Sequence, residues 1–182
     1  MPSIVSHPAV PLALAPLLPG ELRSPSLIFV GVVCAVLPDL DVVGFRVGVP
    51  YGHVLGHRGL SHSIACAVVL SACLAWLLPV EAQTAQAPRL ITFGFLFLST
   101  LSHGILDALT SGGLGVAFFA PFDNSRYFFP WRPIRVSPIS VSRFFSATGV
   151  HVLRSELQWI WIPAALMAIL LTLLRRVWSI TW

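Results

Sequence analysis

Leu101-Ser102-His103-Gly104-Ile105-Leu106-Asp107 closes an apolar run over 90–109, and the reading of that run decides the fold. The run has the length of a bilayer crossing, about 20 residues. A strand with unpaired edges is not tolerated in lipid, so the run is a helix. Side chains four apart stack on one helical face. His103 and Asp107 therefore stand side by side near one end of a membrane span. A lone His-x-x-x-Asp at a helix end is usually only a pair of groups facing water. This pair lies inside an apolar run, and other stretches bring similar residues to it.

Working outward, each earlier apolar stretch carries its polar residues at one end. Gly56-His57-Arg58-Gly59-Leu60-Ser61-His62-Ser63 opens the run over 60–78. Leu37-Pro38-Asp39-Leu40-Asp41 closes the one over 27–37, and His7 precedes the one over 8–18. If these stretches cross up, down, up and down, then His7, Asp39, Asp41, His57, His62, His103 and Asp107 all reach one membrane face. Imidazoles and carboxylates gathered at one level of an apolar bundle suggest a metal centre.

The composition agrees with a membrane protein. The chain has 182 residues, 56% hydrophobic and 10% charged, with a mean hydropathy of +0.85. Soluble domains are nearer a quarter charged. The net charge of +4 rests on arginine alone, because the sequence has no lysine. A GC-rich genome explains that bias as a whole, and phosphate contact is kept for particular arginines. Cys34, Cys66 and Cys73 all lie in apolar stretches and read as small hydrophobes, not as ligands or disulfides. No basic region precedes the first apolar run, which has four prolines between Pro8 and Pro19, so it reads as a poor signal peptide.

The expected fold is all-α: a polytopic membrane bundle of four to five helices in a single domain, residues 1–182. The helices are expected at about 8–19, 26–38, 60–79, 90–110 and 158–176. The first two are short for a crossing, and Ser24 to Ser26 offer an extension of the second. Pro79 closes the third. Trp159, Trp161, Trp178 and Trp182 are interfacial anchors of the last, with Arg175-Arg176 as its stop. The stretch 111–157 is too polar and proline-broken for a span and too aromatic for a disordered linker. It is expected to be an ordered interfacial loop over the metal-bearing face. Arginine is richer on that face, which the positive-inside rule would turn toward the cytoplasm, although arginines holding a phosphate would lie there in either orientation.

The candidate metal ligands are His7, Asp39, His62, His103 and Asp107. Asp41 is a further ligand or an acceptor that orients a ligating imidazole. His57 is a loop-borne group that takes a proton or orients a ligand. Ser61 or Ser63 caps the third helix. Arg58 reads either as a phosphate clamp or as an anchor among lipid headgroups. Arg126 joins Arg58 as a candidate for stabilising charge on phosphate oxygens. His53 and His151 have no comparable support.

Together these motifs, with Leu109-Thr110-Ser111-Gly112-Gly113 and Pro121-Phe122-Asp123-Asn124-Ser125-Arg126-Tyr127, resemble the YdjM-like membrane-bound metal-dependent hydrolases. The resemblance covers nearly all of the chain up to about Ser140. It implies a metal-dependent hydrolase in an inner membrane. A more distant likeness is to the zinc-dependent phospholipase C and single-strand nuclease group. That likeness implies that Asp39, His62, His103 and Asp107 form one site, with His7 joining Asp107 at a second. The chain lacks that group's later His-x-x-x-Glu pair, since His151 and Glu156 are five apart, so one or two metals are expected in place of three.

The expected function is hydrolysis of a phosphoester on a lipid or lipid-linked substrate, by water activated at a divalent metal. Zinc is the first choice, with manganese or iron next. Membrane lipids are the expected surroundings, and no nucleic-acid partner is expected. The alternative is a non-catalytic membrane protein with a structural or transport metal site. Transport calls for ligands near mid-membrane with access from both faces. A scaffold calls for a closed four-ligand shell, and catalysis for an open position.

Overall fold

The computed structural model describes residues 1–78 and 86–177. Pro79, Trp178 and Trp182, to which the sequence assigns a helix stop and two anchors, lie outside the described residues. Helix α1 spans Ala9–Leu14 and continues as a 3-10 turn over Ala15–Leu17. Helix α2 spans Pro25–Val36; Ser24 caps it by accepting from the Leu27 N–H at 3.2 Å. Pro25 suits a first helical position, where its missing N–H has no partner to lose.

The helical path of α2 does not stop at Val36. It tightens into a 3-10 stretch over Leu37–Val47, which carries Asp39 and Asp41 and ends at left-handed Gly48. The span is thus Pro25–Val47, 23 residues. The expected 26–38 was too short: the helix takes in Pro25 and Ser26 behind the Ser24 cap, and most of the added length lies beyond Pro38. Charged Asp39, Asp41 and Arg46 mask this extension in the sequence.

Helix α3 spans Ile64–Leu77, and Ser63 caps it by accepting from the Cys66 N–H at 3.0 Å. Helix α4 spans Gln86–Ala108. A short helix, α5, covers Val141–Phe144. Then α6 (Ala147–Glu156), a π-helical turn (Leu157–Trp161) and α7 (Ile162–Val177) run on as one path. The last helix therefore begins well before the expected 158, and the expected loop 111–157 gives up its final turns. Thr148, His151, Arg154 and Glu156 hide this start from a hydropathy reading. The signal that was present is Ser146, whose hydroxyl accepts from the Thr148 N–H at 3.2 Å.

Three paths are long and apolar enough to cross a membrane: Pro25–Val47, Ala87–Ala108 and Ala147–Val177. Among the described residues there is no strand beyond two isolated bridges, Thr110 with Ile134 and Val116 with Tyr127. The protein is a helical membrane bundle. α4 packs on both α2 and α3, and α1 packs on α2 and α7. Lipid offers little hydrophobic drive for helices to associate, so close approach through small side chains matters. Ala67, Ser71 and Ala75, spaced by four, are buried, while Trp76 and Leu77 face outward. Gly31 of α2 leaves room for the Phe95 ring of α4; a Cβ there would stand 2.5 Å from Phe95 Cε1.

These packings bring four element ends together. The loop after α4 covers that end of the bundle and is tied to it by backbone bonds. The Ile64 N–H donates to the Phe118 carbonyl at 2.9 Å, the Ala117 N–H to the Arg58 carbonyl at 2.9 Å, and the Phe129 N–H to the Ala108 carbonyl at 3.1 Å.

Candidate metal centre

Each candidate ligand sits at an element end. His7 directly precedes α1, and Asp39 lies in the 3-10 extension of α2. His62 ends the 3-10 turn Leu60–His62 before α3, and His103 and Asp107 occupy the last turns of α4. All five are buried, the least so at 4% exposure.

Hydrogen bonds fix which ring nitrogen is available. His103 Nδ1 lies 2.7 Å from the Ala35 carbonyl, which can only accept. The proton is therefore on Nδ1, and Nε2 presents a lone pair. His62 Nδ1 lies 3.2 Å from Asp41 Oδ2 and 2.9 Å from the Ser61 hydroxyl, so its Nε2 is freed in the same way. The two Nε2 atoms stand 3.0 Å apart. Two lone pairs at that separation repel unless a proton or a metal cation lies between them.

The carboxylates complete the set. Asp39 Oδ1 is 3.4 Å from His103 Nε2 and 3.8 Å from His62 Nε2. Asp107 Oδ2 is 3.4 Å from His62 Nε2. A tetrahedron with ligand distances of about 2.0–2.2 Å has edges of about 3.3–3.6 Å, so this spacing fits one ion. Among the described residues no oxygen of Asp39 or Asp107 has a well-aligned hydrogen-bond donor. Asp107 has two cationic neighbours, the buried Arg58 guanidinium at 2.9 Å from Oδ2 and the amino-terminal ammonium of Met1 at 3.8 Å from Oδ1, while Asp39 has neither. The buried cluster of Asp39, His62, His103 and Asp107 is thus able to hold a metal ion.

The electrostatics agree. Burial opposes a charge on His62, but the Asp107 and Asp41 carboxylates outweigh it and lift the imidazole to about 9. Without a cation, the cluster draws in a proton. Burial, with His103 alongside, holds His7 down at about 3, so its ring is neutral. That ring stacks on His103 with centroids 3.8 Å apart. His7 Nε2 is 3.7 Å from Asp39 Oδ2 and 4.0 Å from Asp107 Oδ1, and neither ring nitrogen has a hydrogen-bond partner.

Asp41 acts at one remove. Its carboxylate meets His57 Nδ1 at 2.7 Å and accepts from the Ser61 hydroxyl at 2.6 Å and the Arg58 N–H at 3.2 Å. Asp41, His57 and His62 also lie within ligand reach of one another. Their facing atoms already satisfy each other, so they form a support around the first cluster. Ser63, not Ser61, caps α3.

Both candidate arginines are engaged by protein groups. Arg58 is fully buried; Nε lies 2.9 Å from Asp107 Oδ2, close enough to pair but poorly aligned to donate. Its Nη atoms donate to the Gly112 carbonyl at 3.1 Å and the Thr110 hydroxyl at 3.2 Å. A headgroup-facing anchor is excluded by this burial. Arg126 donates to the carbonyls of His57 at 2.8 Å, Tyr51 at 2.9 Å and His53 at 3.1 Å, pinning the loop that carries His57. Tyr51 was not marked by the sequence, and Thr110 and Gly112 were marked only within the motif Leu109–Gly113, not as partners of Arg58. A hydroxyl or a carbonyl facing an arginine across 50 residues leaves no spacing signal.

Gly113 makes room for Arg58. It has φ +95°, and a Cβ there would stand 2.6 Å from Arg58 Nη1. Gly113→Ala is expected to cost about 2–3 kcal/mol through strain and displacement of Arg58. That corresponds to a fall of about 4–12 °C in thermal midpoint, read by a melt in detergent. An unchanged midpoint would contradict the close approach.

The YdjM inner membrane protein family matches residues 1–180. Inner membrane protein YbcI of Escherichia coli (strain K12) is 39% identical over 176 residues, covering 97% of this chain and 100% of that protein. No solved structure matches the chain. A helical bundle with three apolar spans, matched end to end by a family and a relative of the inner membrane, leaves one assignment: the chain is an inner membrane protein of the YdjM family.

Proposed function

We propose that the protein is a membrane-embedded hydrolase of a phosphoester on a lipid or lipid-linked substrate, with its metal held by Asp39, His62, His103 and Asp107. Zinc suits the mixed nitrogen and oxygen donors and their tetrahedral spacing, with manganese or iron next. A divalent cation in that set supplies a Lewis acid and lowers the pKa of water.

The observation that carries a catalytic reading is the Asp41–His57 pair beside the cluster. Asp41 Oδ1 fixes the His57 proton on Nδ1 at 2.7 Å. His57 Nε2 keeps no partner among the described residues and can take or return a proton. A metal that only pinned helices together would still use Asp41 to orient His62, but would have no use for the Nε2 of His57. Arg126 uses three hydrogen bonds on carbonyls, and its remaining N–H groups can face a phosphate. Arg58 serves instead to hold Asp107. Exposed Phe122, Phe129 and Trp131 on the covering loop suit a headgroup layer.

One observation favours a second reading, a structural metal site. Four protein ligands are already present and buried, as a closed shell requires. His57→Ala separates the two. The expected result is full metal content with turnover of phosphatidic acid and p-nitrophenyl phosphate reduced about 10²–10⁴-fold. Wild-type protein with full metal and no turnover on a panel of phosphoesters would favour the structural site.

A further inference from the structure

Glu156 is the most costly residue outside the cluster. It is fully buried at the end of α6, and among the described residues no cation pairs with it. A bare carboxylate in an apolar bundle is expensive unless several donors meet it. Among the described residues its donors come from one place, the segment before α1. The Ser3 N–H and Ser3 hydroxyl both donate to it, and the Ser6 hydroxyl donates to Oε2 at 2.7 Å. Ser6 in turn accepts from Trp161 Nε1 at 3.1 Å.

The π turn explains how one helix supplies both contacts. Residues five apart in an α-helix point about 140° away from each other. The wider turn over Leu157–Trp161 swings Trp161 back toward the side of Glu156, so both reach Ser6. Single π turns inside helices often occur at functional positions. One residue after Ser6 comes His7, stacked on His103 and facing Asp39 and Asp107.

We propose that Glu156 is a positioning residue for the metal centre: it latches the segment 1–8 to the last membrane helix and so holds His7 over the Asp39–Asp107 carboxylates. The inference rests on the metal reading above but adds a residue about 150 positions away from the one it positions. A hydrophobic side chain at 156 would also fill the space. Only a multiple acceptor fixes the register of the segment, and a shift of one residue would take His7 out of the cluster.

The test uses the full chain in detergent, loaded with Co²⁺, comparing wild type, Glu156→Gln, the milder Ser6→Ala, His7→Ala and the double variant His7→Ala/Glu156→Gln. Amide exchange over residues 3–9 reads the latch itself. Release of Co²⁺ to EDTA and the cobalt visible spectrum read the centre. Glu156→Gln is expected to lose amide protection in that segment and release cobalt about 10–100-fold faster, with Ser6→Ala in the same direction. The double variant is expected to release no faster than His7→Ala alone, because both changes remove the same imidazole. Effects that multiply, or protection unchanged in both Glu156→Gln and Ser6→Ala, would overturn the proposal. Wild type that takes up no cobalt while Glu156→Gln still frees the segment would support the latch and sink the metal centre instead.

Discussion

Asp107→Ala is expected to empty the centre: metal content of the purified protein falls from about one ion per chain to near zero, by elemental analysis of matched preparations. Asp107 offers Oδ2 beside His62 and Oδ1 toward His7, with Arg58 Nε 2.9 Å from the first and the Met1 ammonium 3.8 Å from the second. Its loss removes one ligand outright and leaves Arg58 buried without its partner. Breaking a buried pair from one side costs about 3–5 kcal/mol, so a lower thermal midpoint should accompany the lost metal. Asp107→Asn keeps the shape but not the charge and should behave like the alanine variant toward metal. Equal metal in wild type and Asp107→Ala would remove Asp107 from the ligand set.

Arg58→Leu is expected to have the second-largest effect, and in a different measurement. The guanidinium is the fully buried partner of Asp107, and it also supports the loop through Gly112 and Thr110. Its removal should lower the thermal midpoint by about 6–20 °C, following a loss of about 3–5 kcal/mol. Added zinc should recover part of that loss, because a ligand bound to the folded form stabilises it by mass action. Destabilisation that zinc does not touch would separate Arg58 from the centre. Arg58→Lys should not rescue fully, since a single ammonium cannot serve Asp107, Gly112 and Thr110 together.

The helix ends were legible because membrane spans are written in uninterrupted apolar residues, and a His or Asp at such an end stands out against them. His103 with Asp107 needed only the helical repeat, and the up-and-down path then brought Asp39 and His62 to the same level. What escaped was written in polar residues that look alike everywhere. The start of the last helix at Ala147 lies in a polar stretch, and only the Ser146 cap marks it. Arg58 was read as either a phosphate clamp or a lipid anchor, because sequence shows a charge and not the Asp107 carboxylate that neutralises it. Glu156 was noted only for its wrong spacing from His151. Its actual partners, Ser3 and Ser6, are the least distinctive residues in the chain.

The join between Glu156 and Ser3 also sets an order of assembly. Synthesis delivers His7 early and the carboxylate that fastens its segment only after α1, α2, α3 and α4 have been made. Until then the amino-terminal segment is held by α1, by the Ser137 N–H on the Met1 carbonyl and by the stack of His7 on His103. The Glu156 contacts are therefore the last of this end of the bundle to form, after Asp39, His62, His103 and Asp107 have all been made.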